Sequence, residues 1–186
     1  EEPIVEVCKK HHIKYFKGDT EDVLGRYYHT AEYFGLKSGD TIIRITSDCP
    51  FVDAGLIERG LNSFSVSNHT YCSNVIPKRS YPRGLDFEIF SFDSLLEAHQ
   101  NSKEREHVTT YIWQKAIAQH SILSIEDDED FSMYRITLDT KEDYAVISAL
   151  YKILKCVTTF DYQQLKNVIK SNKQIFEINK NIEQKR

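Results

Sequence analysis

Thr41-Ile42-Ile43-Arg44-Ile45-Thr46-Ser47-Asp48-Cys49-Pro50-Phe51-Val52-Asp53 is the stretch from which the rest of the chain can be read. A β-branched run stops abruptly at a small polar residue, a carboxylate and a proline. The pattern predicts a buried strand that carries Asp48 to its carboxyl-terminal tip, which is where open α/β sheets place their ligands. Ser47 is small enough to let a ligand approach the backbone. Pro50 ends the strand, and Asp53 is placed to cap a helix from Ala54 to Asn62. A turn-capping role for Asp48 accounts for the same residues, so the pattern alone leaves both readings open.

Outward from this stretch, composition sets the bounds. The 186 residues suffice for one good core, so a single domain over 1–186 is expected. A net charge of −4 argues against a nucleic-acid-binding face, while leaving room for a local basic pocket. No apolar run approaches the roughly 20 residues that span a bilayer, and no signal peptide opens the sequence, so a cytoplasmic protein without membrane contact is expected. Cys8, Cys49, Cys72 and Cys156 show no CxxC spacing, which suggests neither a zinc site nor a disulfide framework.

Ile4, Val5 and Cys8 have helical spacing, followed by a short strand expected at Ile13–Phe16. A helix opening at the first residue of an α/β pattern implies that a strand should precede it. Asp19 to Asp22 supply capping and first-turn acids for a helix that runs to Gly35. Beyond a strand at His69–Asn74, Val75 to Gly84 holds two prolines, a glycine and three cations, a loop that answers to something other than sheet pairing. Leu85 to Phe90 then alternates apolar residues with Asp86 and Glu88, which period-two spacing puts on one face. Solvent exposure and a cleft beside the cationic loop are both compatible with that face. Helices are expected from Ser91 to Gln100, from near Ser102 through Arg105-Glu106-His107 to Trp113, over Tyr144–Leu154 and over Tyr162–Ile169. A strand is expected at Ser121–Ile125, the run Glu126–Asp130 reads as a solvated acidic turn, and Tyr134–Asp139 reads as a second strand ending in an acid. Thr140 and Asp143 match a capping box. The tail from Ile175 is expected to pack through Ile175, Phe176, Ile178 and Ile182.

Two strands therefore end in aspartates, Asp48 and Asp139, each followed by a helix. Carboxylates from two strand tips are what Mg²⁺ needs when it holds phosphates through one or two protein oxygens and several waters. The ion would offset charge as a phosphoryl centre is attacked.

Arg44-Ile45-Thr46-Ser47-Asp48-Cys49-Pro50, Tyr81-Pro82-Arg83-Gly84-Leu85-Asp86-Phe87-Glu88-Ile89-Phe90, Arg105-Glu106-His107-Val108-Thr109 and Arg135-Ile136-Thr137-Leu138-Asp139-Thr140-Lys141-Glu142-Asp143 occur in the order seen in the spore coat polysaccharide biosynthesis protein F family. The tail Asn179–Lys185 is also similar to that family's ending. The family is cytidylyltransferase-like, with a nucleotide-diphospho-sugar transferase fold: α/β, a Rossmann-like mixed sheet flanked by helices. The resemblance implies that a nucleoside triphosphate, CTP by preference, activates a sugar or sugar acid for surface polysaccharide synthesis with release of pyrophosphate. It implies Mg²⁺ on Asp48 and Asp139. Arg44 and Ser47 would border the nucleotide, and Arg83, Asp86, Glu88, Arg105, Glu106 and His107 would face the sugar.

Two departures stand out. Ser47 replaces the family's usual glycine, and the sequence begins after the first strand and the glycine-rich, basic loop that wraps the triphosphate in family members. The 186 residues alone are thus expected to catalyse little, and an open sheet edge would invite pairing into a homodimer. Two rival readings are a non-catalytic sugar- or nucleotide-binding homologue and a metal-dependent glycosyltransferase. The second lacks its usual Asp-x-Asp, because Cys49-Pro50 follows Asp48.

Overall fold

A computed structural model describes residues 2–155 and 161–183; Cys156 and the tail residues Gln184 and Lys185 lie outside the described residues. In chain order the elements are α1 (Glu2–Lys10), α2 (Val23–Tyr33), β1 (Thr41–Ile45), α3 (Ala54–Ser65), β2 (Tyr71–Ser73), β3 (Phe87–Ser91), α4 (Phe92–Asn101), α5 (Thr110–Ala118), β4 (Ile122–Ser124), α6 (Lys141–Ile153) and α7 (Tyr162–Ser171), then a 3₁₀ helix over Lys173–Ile178. Local chemistry sets most helix starts. Asp22, Asp53, Ser91 and Asp161 each accept a backbone N–H as N-caps, and Thr140 with Asp143 forms a reciprocal capping box.

The chain divides into two compact units, Glu1–Ile42 with Phe90–His120, and Ile43–Ile89 with Ser121–Arg186. In the first, α2 packs on α4 and α4 on α5, burying Leu24, Ala31, Phe92, Leu95, Ala98, Ile112 and Ala116. The second carries a core of Phe51, Leu56, Tyr81, Phe87, Ile89, Ile136, Leu150 and Leu165. Burial of each large apolar side chain contributes about 1.5–3 kcal/mol.

The strand order is β1-β3-β2-β4, with β2 and β4 parallel in the register Tyr71 to Ile122. Among the described strands β1 therefore stands at the end of the order. Ile43 and Ile45 remain 40% and 47% exposed, so the run is not the buried strand its β-branched composition suggests. Three other expectations are corrected. Ile13–Phe16 forms no strand, since it has no ladder partner among the described residues. Arg105, Glu106 and His107 lie in irregular backbone ahead of α5, because Arg105 bonds away from the helix. Tyr134–Asp139 is an extended segment that makes one parallel bridge, Arg83 to Arg135.

The acidic turn also departs from expectation. Asp127 is shielded in an ion pair with Lys166 at 2.7 Å, their side chains only 6% and 10% exposed. In the tail, Asn179 is buried while Ile178 stays half exposed.

Candidate active site

Asp48 and Asp139 approach one another through the backbone of the second unit. The Leu138 N–H donates to the Asp48 carbonyl at 2.9 Å, which sets the two acids one residue apart across that bond. Behind them, Arg83 N–H donates to Tyr134 O at 2.9 Å and Ile136 N–H to Arg83 O at 2.7 Å, fixing the extended segment that leads to Asp139.

The Asp139 carboxylate is 43% exposed, with one oxygen tied. Arg135 Nη2 donates to Asp139 Oδ2 at 2.6 Å. Arg135 also donates Nε to Asp143 Oδ1 and Nη2 to Asp143 Oδ2, both at 2.9 Å. Asp143, wholly buried, accepts in addition from the N–H groups of Asp139 and Thr140 and from Asn179 Nδ2 at 2.9 Å. Burial alone would raise its pKa, but the Arg135 and Asn179 bonds hold the carboxyl down at about 2.

A cavity of about 150 Å³ is lined by Arg44, Thr46, Val75, Ile76, Asp86, Phe87 and Glu88. Asp86 and Glu88 share its wall, as strand periodicity requires of residues two apart. Each is held by groups that sequence reasoning did not pair with it. Arg79 grips Asp86 at two points, 2.6 and 2.7 Å. Glu88 accepts from the Tyr71 hydroxyl and pairs with Arg44. Arg44, expected at the nucleotide, is thus engaged with Glu88. The Cys49 thiol sits 3.2 Å from Thr46 Oγ1 and 3.7 Å from Asp48 Oδ1, linking the cavity to the Asp48 tip. Burial raises that thiol to about 11, so it remains protonated. Ser47 is exposed beside Asp48.

Arg83 lines a different cavity, of about 270 Å³, with Tyr134, Arg135, Phe176 and Lys180. Burial and the neighbouring Arg79 charge lower its pKa from the ordinary arginine value. Arg105, Glu106 and His107 belong to the first unit. There Arg105 pairs with Asp22, while Glu106 and His107 are exposed and donate their backbone N–H groups to Glu104. The residues missed by sequence reasoning are Arg79, Arg135 and Asn179. Arg79 stands in the cationic loop Val75 to Gly84, Arg135 opens the fourth quoted motif, and Asn179 opens the tail similarity.

The donor set suits a hard divalent cation. Among the described residues no cluster of three or more His, Cys, Asp or Glu side chains could enclose a metal. One carboxylate from each of two segments joined by a backbone bond fits an ion whose remaining ligands are water and phosphate oxygens. No helix among the described residues is long and apolar enough to cross a membrane.

A family described as cytidylyltransferase matches residues 1–182. An uncharacterized protein of Methanocaldococcus jannaschii is 33% identical over 187 residues, covering 98% of this chain and 73% of that protein. Spore coat polysaccharide biosynthesis protein SpsF of Bacillus subtilis is 33% identical over 153 residues, covering 78% of this chain and 60% of SpsF. The solved structure of a cytidylyltransferase from Leptospira borgpetersenii serovar Hardjo-bovis superposes with a TM-score of 0.84 at 26% identity, covering 100% of this chain and 76% of that one.

Proposed function

Because the chain belongs to the cytidylyltransferase family, we propose that it serves nucleotidyl transfer: a sugar or sugar acid attacks the α-phosphate of a nucleoside triphosphate, CTP by preference, and pyrophosphate leaves. The similarity to SpsF supports a product destined for polysaccharide synthesis. The observation that supports the reading is the Leu138-to-Asp48 backbone bond, which joins the segments that bear Asp48 and Asp139.

In this reading Asp48 and Asp139 hold Mg²⁺, which when bound offsets charge on the phosphate oxygens as phosphorus is attacked. The chain's other residues bind and orient. Asp86 and Glu88 present acceptor oxygens to sugar hydroxyls, and their rotamers are set by Arg79, Arg44 and Tyr71. Those arginines also offset the carboxylate charge, so an acidic sugar can occupy the cavity without facing two bare anions.

The test is pyrophosphate release by the natural full-length protein. CTP, UTP, ATP and GTP are each supplied with sugar 1-phosphates and with sugar acids that carry an anomeric hydroxyl. Release with CTP and at least one sugar is expected, and Asp48→Asn or Asp139→Asn should lower it about 10²–10³-fold. Tight CTP binding without release on any sugar would favour the non-catalytic binding homologue.

A further inference from the structure

The Asp139 carboxylate does not stand alone at its strand tip. It ends a relay of buried polar groups that starts in the C-terminal tail. Asn179, only 2% exposed, directs its Nδ2 to Asp143 Oδ1 at 2.9 Å and to the Arg135 carbonyl at 3.1 Å. Asp143 in turn fixes the Arg135 guanidinium at two points, and Arg135 Nη2 holds Asp139 Oδ2. Asp143 already has ample donors for helix capping from the N–H groups of Asp139 and Thr140. Capping therefore accounts for neither the guanidinium nor the tail amide.

Chemically, the relay decides which way Asp139 faces. A planar guanidinium gripped on one edge by Asp143 has a fixed direction for its remaining Nη2 hydrogen. A carboxylate that accepts that hydrogen on Oδ2 keeps Oδ1 turned outward without spending rotamer entropy when a ligand arrives.

We infer that Arg135, Asp143 and Asn179 are positioning residues that orient Asp139 toward a divalent cation, so that the C-terminal tail is part of the active-site scaffold. The inference rests on the reading of Asp139 as a cation ligand. Outer contacts of this kind alter metal affinity by about 10–100-fold when removed.

Mn²⁺ is the probe, titrated against the natural full-length protein by electron paramagnetic resonance, with thermal unfolding recorded in parallel. Wild type should bind Mn²⁺ and Asp139→Asn should lose that binding. Asn179→Ala, which removes the tail amide, and Arg135→Lys, which keeps the charge but cannot fork between Asp143 and Asp139, should each weaken Mn²⁺ binding about tenfold. If Asp139→Asn binds Mn²⁺ as wild type does, the reading of Asp139 fails. If Asp139→Asn loses binding while both other variants bind as wild type, whatever their thermal midpoints, the positioning role is overturned. Should Asn179→Ala not fold, Arg135→Lys decides the matter alone.

Discussion

Arg105 and Asp22 meet at two points, Nε to Oδ1 and Nη2 to Oδ2, each at 2.8 Å, across 83 residues of sequence. Asp22 is at the same time the N-cap of α2, accepting from Gly25 N–H at 2.7 Å. The Leu24 N–H donates to the Arg105 carbonyl at 2.8 Å. One carboxylate thus starts a helix and anchors the segment before α5. Asp22→Ala should cost about 0.5–2 kcal/mol, the range for a lost N-cap, with little added by the half-exposed ion pair. Urea unfolding measures it, and a cost near zero would show that the cap is dispensable.

His99 gives the first unit a pH dependence of unusual sign. Arg105 Nη2 lies 3.1 Å from His99 Nδ1, and a guanidinium can only donate, so Nδ1 accepts and the imidazole is neutral. Burial, then Arg105, then His29 lower its pKa, against Asp22 and Glu32, which raise it. Tyr28 stacks on the ring at 4.3 Å. A histidine whose folded pKa lies below its unfolded value of about 6.5 binds more protons when unfolded. Its contribution is therefore fully present above pH 6.5 and is lost as the pH falls below that. The thermal midpoint should drop between pH 7.5 and pH 5.5, and His99→Gln should flatten that drop. An equal drop in the variant would assign it to other groups.

Gly84 sits where only glycine fits. Its φ is +105°, and a Cβ there would lie 2.6 Å from the carbonyl carbon and oxygen of Ile136 and 2.8 Å from Thr137 N. These are backbone atoms of the segment leading to Asp139. Gly84→Ala should destabilise by roughly 1–3 kcal/mol from overpacking, beyond the cost of a left-handed alanine. It should also weaken Mn²⁺ binding, since the segment that yields is the one carrying Asp139. Urea unfolding together with the Mn²⁺ titration checks both, and a variant as stable as wild type would contradict the close approach.

The features legible in the sequence are those decided by near neighbours. Asp53 and the Thr140–Asp143 box announce their helices because cap and helix lie within a turn of each other. Asp86 and Glu88 fall on one cavity wall because strand side chains alternate. Fold and family were likewise readable, because four motifs occur in a fixed order. Pairing at a distance was not. Ile13–Phe16 has strand composition, but composition does not supply a ladder partner. The β1 run looks interior, yet its place at the end of the described strand order depends on where β3 and β2 fall. Asn179 reads as one more polar tail residue, since its partners Arg135 and Asp143 are 44 and 36 positions away.

The acidic run Glu126–Asp130 shows the same blindness and yields a stability prediction. Read alone it is a solvated turn, but α7 brings Lys166 onto Asp127 at 2.7 Å and onto Glu129 at 3.0 Å. The ammonium also lies 5.3 Å from the Phe131 ring centroid and 6.0 Å from that of Tyr162. Burial would raise the Asp127 pKa, but the Lys166 bond leaves it below the ordinary value. Removing the lysine alone strands a shielded carboxylate, whereas removing both charges leaves a neutral contact. Lys166→Met should therefore cost about 3–5 kcal/mol, and Lys166→Met combined with Asp127→Asn distinctly less. A double-mutant cycle in urea measures the difference. If the double variant is as unstable as the sum of the singles, the two groups are energetically independent, and the turn is held by its Ser80 contact, where Asp127 N–H donates at 2.7 Å.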